Sequence, residues 1–301
     1  MARSGDQLFD RRCRVTVFNP VATPNDFKTT KTESISIDGG STEDRSRTGL
    51  RVQFKIKKSL KREPNTSELT ITNLSPDRRA SLQQKGVRVI VEAGYRDTGF
   101  ARYFAGDART IDHVRADADW ETLMQLGDGE RSWQFARVNE SFSPGTRVAD
   151  AIKKIGRACG IGTGNLDDQA GLVNATLEQG FAAMGSASKA LDKLLRSVRL
   201  TWSVQDGELQ LLDEDGVLSL PIQEISPETG LIGSPEMGSP PKKGKPQLVR
   251  FKSLLTPTKP GAKVKLKSER YDGYVKVQAC EFDGDTHGGD WYTSISGVII
   301  K

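Results

Sequence analysis

The sequence predicts a mainly β (α+β) fold: two β-barrel domains, residues 1–132 and 214–301, with a small helix–helix–β-hairpin domain at 133–213 inserted between them. Three observations predict it. Apolar and polar residues alternate with a two-residue period through most of 12–130 and again after 248. Apolar residues fall at helical spacing in 148–159 and 190–198. Asp206-Gly207 stands between two further alternating runs, the strongest short hairpin signal in the chain.

The clearest stretch is 50–74, where Leu50, Val52, Phe54 and Ile56 alternate with Arg51, Gln53, Lys55 and Lys57. Lys61, Arg62, Glu63, Pro64 and Asn65 make a turn, and Leu69 and Ile71 then alternate with Glu68, Thr70 and Thr72. This is an antiparallel hairpin with one core face and one polar face expected to meet water or a hydrated partner. A one-residue slip would bury the charges, so the pattern itself sets the register. Ser75-Pro76-Asp77 follows as N-cap, first-turn proline and first-turn acid of a short helix, which is placed to plug one end of a curling sheet and which Gly86 ends.

Before the hairpin, Cys13, Val15 and Val17 mark a first strand, and Ile35 and Ile37 a second that stops at Asp38-Gly39-Gly40. The charged segment 41–48 reads as a surface loop. After the helix come strands at 87–93, 101–114 and 120–126. Strands recurring at such short intervals point to a barrel or sandwich.

In the middle region Pro144-Gly145-Thr146 starts a helix with Val148, Ala151, Ile152, Ile155 and Cys159 on one face. A second helix begins after Ser186 or Ser188 and turns Ala190, Leu191, Leu194, Leu195 and Val198 inward. The hairpin 200–205/208–212 closes the domain. Farther on, the Pro/Lys/Gly-rich segment 238–246 can hold neither helix nor sheet and reads as an exposed loop or linker. Strands resume at 248–255, 262–268, 274–282 and 291–300.

A length of 301 residues fits two or three domains, and a net charge of +5 with pI near 9.0 supports no claim about nucleic acid by itself. The charge is unevenly placed. Residues 205–236 hold eight acids and no Lys or Arg, whereas 242–276 hold eleven Lys or Arg against Glu269 and Asp272. These are two solvated faces or two complementary contact surfaces. Cys13, Cys159 and Cys280 are too far apart for metal-ligand spacing and read as buried thiols in a reducing compartment. No apolar core follows Arg3 to make a secretory signal, and no run approaches the ~20 apolar residues of a membrane helix, so a soluble protein is expected.

No catalytic, cofactor-binding or metal-binding residues are assigned. His113 and His287 are the only two histidines, neither with a neighbouring nucleophile or ligand pair, and no phosphate-binding or nucleophile-elbow motif occurs. The loop Asp283-Gly284-Asp285-Thr286-His287-Gly288-Gly289-Asp290 offers three carboxylates and an imidazole. Ser294 stands where a calcium loop needs its bidentate Glu, so the reading is a tight turn capped by its own Asp side chains. Lys263, Lys265 and Lys267 project from one face of a strand, with Tyr271 and Tyr274 as the only aromatic surfaces beside them. That leaves a β-barrel nucleic-acid-binding protein as the alternative. A carbohydrate-active enzyme using Asp283, Asp285 and Asp290 is a third class.

Ser253-Leu254-Leu255-Thr256-Pro257, Lys259-Pro260-Gly261, Gly273-Tyr274-Val275-Lys276-Val277 and Gly284-Asp285-Thr286-His287-Gly288-Gly289-Asp290-Trp291 together resemble the carboxy-terminal part of tailed-phage baseplate hub proteins. Leu69-Thr70-Ile71-Thr72-Asn73-Leu74-Ser75 resembles their first tail-tube-like domain. The Ser143-Pro144-Gly145-Thr146 helix start and the 200–212 hairpin resemble their middle domain. The similarity runs in the same order along nearly the whole chain.

The resemblance implies a structural virion protein: a homotrimeric ring with two tube-like barrels per subunit, joining the six-fold tail tube to a three-fold puncturing spike around a central channel. It implies as partners the tail-tube or distal tube adaptor protein, the trimeric spike protein and other baseplate proteins. The genome or tape-measure protein would meet the ring only in transit. It further implies no catalytic residues, and assembly in the host cytoplasm. The three regions account for all 301 residues, so no appended lytic domain is expected.

Overall fold

In the computed structural model the predicted hairpin is formed by β3 (Val52–Ser59) and β4 (Thr66–Thr72), paired antiparallel with Val52 opposite Ile71 and Phe54 opposite Leu69. Val52, Phe54, Ile56, Leu69 and Ile71 are all buried, so the alternation reads out as the core face it encodes. The structure describes residues 11–21, 31–40, 49–63, 65–82, 86–95, 98–128, 136–158, 160–169, 175–213, 215–239 and 246–300. The expected loop at 41–48, the place of Cys159 on its helix and residues 240–245 of the Pro/Lys/Gly-rich segment lie outside these.

All seven strands expected in the first region form. They are β1 (Arg11–Val21), β2 (Lys31–Gly40), β3, β4, β5 (Arg88–Tyr95), β6 (Gly99–Ala116) and β7 (Asp119–Gly127). Helix α1 (Pro76–Ser81) is capped as predicted: the Ser75 hydroxyl accepts the Arg78 N–H at 3.4 Å, and Asp77 lies in the first turn. It ends earlier than expected, at a cap on Leu82 rather than at Gly86. None of its own residues is buried, whereas Leu74 and Leu82 on either side of it are.

The last region contributes β12 (Gln223–Ile225), β13 (Leu231–Met237), β14 (Leu248–Leu254), β15 (Lys263–Lys267), β16 (Asp272–Asp285) and β17 (Trp291–Ile300). Two of these, β12 and β13, were not foreseen. One is three residues long and the other holds Gly233 at φ 69° and a register shift, so neither carries a clean two-residue period.

The two β regions are not separate sheets. Thirteen strands join in the order β13-β14-β17-β16-β3-β4-β7-β6-β5-β1-β2, with β15 on β16 and β12 beside β15, and the regions meet at β16–β3. One hydrophobic cluster runs from Cys13 to Ile295. At its centre Phe54 and Trp291 lie 5.6 Å apart, Tyr95 and Trp291 6.4 Å, and Tyr103 and Phe282 4.9 Å, each pair drawn from both regions and set edge to face. Among the described residues neither run of strands is closed by a continuous ladder. The first comes nearest, through a single bridge between Gly39 and Leu50.

By internal packing the chain divides into two compact units, one of Met1–Lys58, Thr66–Gly127 and Leu220–Lys301, the other of Ser59–Asn65 and Asp128–Ser219. The second unit holds β8 (Arg137–Phe142) paired with β9 (Phe181–Ser186), helices α2 (Val148–Ala158) and α3 (Ala187–Ser197), and the hairpin β10 (Leu200–Gln205)/β11 (Glu208–Asp213). The β8–β9 pair is an addition to the predicted helix–helix–hairpin layout. Phe181-Ala182-Ala183-Met184-Gly185-Ser186 has no β-branched residue to signal a strand.

The turn between β3 and β4 belongs to this unit because Asn65 is tied into it. Buried Asp128 accepts the Asn65 N–H at 2.8 Å, the Asn65 amide at 2.9 Å and the Asp206 N–H at 3.0 Å.

Asp206 and Gly207 sit at φ 58° and 80°, the left-handed pair a two-residue hairpin turn needs. Gly207→Val is expected to cost about 1–2 kcal/mol, because a β-branched residue is strained at positive φ. A thermal melt of the variant checks this, and an unchanged melting temperature would count against the turn's role in holding the register.

Candidate functional site

Strand alternation places Gln53 and Lys55 of β3, with Arg51 just before it, in one row, and Glu281, Asp283 and Asp285 in one row on β16. These neighbouring strands set the rows against each other in opposite order. Lys55 Nζ lies 2.8 Å from Glu281 and 3.7 Å from Asp283, Arg51 Nη2 2.7 Å from Asp285, and the Gln53 amide donates to Asp285 at 3.1 Å. Part of the hairpin's polar face therefore makes ion pairs within the chain while still meeting water, as Arg51 and Lys55 are exposed. Lys57 and Glu68 are exposed as well.

The Asp285 carboxylate is the knot of this arrangement. It accepts Arg51 Nε and Nη2 at 3.2 and 2.7 Å, Gln53, and the His287 N–H at 2.9 Å. The Asp283–Asp290 loop is thus a turn capped by its own Asp, as predicted, with an arginine 234 residues away added to it. Burial works to raise the Asp285 carboxyl, but Arg51 and the His287 and Gly288 backbone N–H groups outweigh it and hold the group below the usual range. Asp283 moves the other way, pushed up by burial against the pull of Lys55.

Opposite shifts on two nearby carboxyls are the pattern of an acid–base pair. Here, however, Asp285's lone pairs are spent on Arg51, Gln53 and its own turn, and Asp290 serves through its carbonyl, which accepts the Asp285 N–H at 2.7 Å. Among the described residues no group of three or more His, Cys, Asp or Glu is placed to hold a metal ion.

The two histidines are structural in their contacts. His113 Nε2 donates to the Arg79 carbonyl at 3.0 Å, leaving Nδ1 to accept from the Thr122 hydroxyl at 3.0 Å. His287 Nδ1 lies 2.9 Å from the Thr286 hydroxyl. Cys13 and Cys280 are buried, as predicted, and burial, with Asp38 and Glu92 adding to it, pushes the Cys13 thiol up.

The basic strand β15 is engaged as well. The ammonium groups of Lys263 and Lys265 lie 4.0 and 5.1 Å from the centre of the Tyr274 ring, and Lys265 pairs with Asp272. The Tyr271 hydroxyl donates to the Tyr274 carbonyl. The Tyr274 face next to the lysine row is thus covered by the lysines themselves. Nor is β15 an edge strand: β12 pairs parallel with it, setting Glu224 of the acidic run beside Lys265 of the basic run. Some of the charge complementarity in the sequence is therefore satisfied within the chain.

The architecture is mainly β, built on one large sheet whose strands β1 and β17 contribute to the same core. The fold is shared with solved tail proteins and a type VI secretion component. Among solved structures, the chain is similar to a tail protein from Neisseria meningitidis MC58 (TM-score 0.58, 12% identity, covering 95% of this chain and 96% of that one). It is also similar to the 43 kDa tail protein of prophage MuSo2 from Shewanella oneidensis (TM-score 0.58, 9% identity, 84% and 98%). A third is the E. coli c3393 protein, a type VI secretion component described as structurally similar to the T4 tail proteins gp27 and gp5 (TM-score 0.55, 9% identity, 84% and 74%). No protein-family model and no curated protein matches the sequence.

Proposed function

We propose that this chain is the central hub of a phage tail baseplate or a related injection machine. Three copies form a closed ring that adapts the six-fold tail tube to a three-fold spike and lines the channel between them. The observation that carries the reading is a fold shared end to end with a tail protein, over 95% of this chain and 96% of the other.

Symmetry supplies the mechanism. A six-fold tube meets a three-fold spike without mismatch if each subunit presents two similar β regions, here 1–132 and 214–301, since three subunits then present six. Two regions built into one sheet, with aromatic pairs across them, suit a subunit that must hold both in fixed relation. The ring closes by heterologous contacts, each region meeting the unlike region of its neighbour. Strands β2 and β13 end the path of the large sheet and are available for such contacts. The remaining exposed charges of 206–236 and 242–276 set their register.

In this role the chain sits in the virion after assembly in the host cytoplasm. It contacts the tube or its distal adaptor, the spike and other baseplate proteins, and meets genome or tape-measure protein only in transit. It performs no catalysis. Electron microscopy of the assembled particle tests the reading. Three copies in a ring, each giving two β regions to a pseudo-six-fold layer, are expected; a ring of six chains would overturn it.

A further inference from the structure

Three of the described strands hold no charged residue: β9, β10 and β17. β17 lies between β14 and β16, and on β10 the Val204 carbonyl accepts the Asn65 amide at 3.1 Å. Among the described residues β9 pairs only with β8, so its far edge is open. The register shows which groups stand there. Ala187 N–H donates to the Ala136 carbonyl, so Val138–Gly185 and Glu140–Ala183 are the hydrogen-bonded pairs of the ladder, with Asn139–Met184 and Ser141–Ala182 alternating between them. The N–H and C=O groups of Ala182 and Met184 therefore point away from β8. Both residues are exposed, and Met184, at 71%, is the most exposed large apolar side chain among those described.

An open edge with neither charge nor proline is a template for one more strand. The helix beside it says what that strand must carry. α3 follows β9 directly and runs back along it, which brings the Lys193 ammonium to 5.6 Å from the ring of Phe181, the first residue of β9. Lys189 lies one helical turn before Lys193 on the same face, and both are exposed. The one acid of α3, Asp192, is taken by Arg62 and Arg196, at 2.6 and 2.9 Å. Residues four apart on a helix are about 6 Å apart along its axis, and same-face neighbours on a strand about 7 Å, so two acids at alternate strand positions match the two lysines. We propose that the β9 edge receives an extended segment of a partner polypeptide in which Asp or Glu alternates with an apolar residue. The acids meet Lys189 and Lys193 on the α3 side, the apolar residues pack on Ala182 and Met184 on the other, and the backbone pairs with β9. This rests on β9 and α3 alone and holds whether or not the chain is a hub.

Fluorescence anisotropy of the full chain at low salt tests this, with the labelled peptide Ser-Glu-Val-Glu-Val-Glu-Ser as probe. One saturable site per chain is expected, with amide exchange slowed at 181–186 when it is filled. A peptide of the same composition in the order Ser-Val-Val-Glu-Glu-Glu-Ser, and the probe with Gln in place of Glu, should each bind at least about fivefold more weakly. Lys189→Gln together with Lys193→Gln should weaken the probe about fivefold, and Met184→Pro, which removes an outward N–H and leaves the ladder to β8 intact, by about as much. Both lysines are exposed, so their double variant serves if Met184→Pro does not fold. Equal binding of the reordered peptide and the probe, equal binding by the parent and the double lysine variant, a filled site with unchanged exchange at 181–186, or the absence of a saturable site would each overturn the proposal.

Discussion

Trp291→Ala is expected to destabilise the larger unit by about 4 kcal/mol, the usual range for emptying a large buried aromatic site. Trp291 is 1% exposed and heads the fully buried side chains by volume. Its neighbours explain why the loss would not stay local: Phe54 on β3 and Tyr95 on β5 come from the first β region, while Trp291 itself opens β17 of the last. The cavity would therefore open where the two regions meet. Urea unfolding followed by amide exchange checks this. Protection on β5, β6, β16 and β17 is expected to be lost in one transition at lower denaturant. If β16 and β17 melted while β5 to β7 kept their full protection, the two regions would be independent folding units.

Asp285→Ala is expected to cost about 3 kcal/mol, because it strips the acceptor from Arg51, Gln53 and the His287 N–H together. The Asp285 side chain is 9% exposed and Arg51 45%, so the loss lies mainly on the carboxylate side, and the guanidinium can turn to water. The pH dependence follows from the sign of the shift. The folded carboxyl sits below its ordinary value, so its stabilisation is complete above the ordinary carboxylate range of about 4 and is lost as pH falls through the folded value. Asp283 is shifted upward and acts oppositely, but it is present in both chains, so comparing them isolates Asp285. Thermal melts from pH 7 to pH 2 should show the gap between parent and variant closing in acid. A gap that stayed constant would mean that the stabilisation does not come from the ionised carboxylate.

What the sequence determined by itself is everything governed by neighbours a few residues apart. The two-residue period at 50–57 decided which side chains of β3 face the core. Ser75-Pro76-Asp77 decided where α1 begins, and Asp206-Gly207 decided the turn between β10 and β11. Each is a steric or hydrogen-bonding preference that acts before the chain folds. The self-capped turn at Asp285 was likewise legible.

Only the tertiary structure decided which elements share a core. Nothing local distinguishes β3 next to β16 from two separate barrels, since an apolar face is satisfied by any apolar face of the right shape. The Arg51–Asp285 pair spans 234 residues, and its charges alternate on their strands as ordinary solvent-facing residues would. Lys58 reads as one more lysine after Lys57 until the strand's register turns it inward, where it is buried. Short strands such as β12 exist only because β15 is there to pair with them. Periodicity records which way a side chain points, whereas the partner it meets depends on contacts hundreds of residues away, whose loop-closure cost is met only by the packing of the finished core.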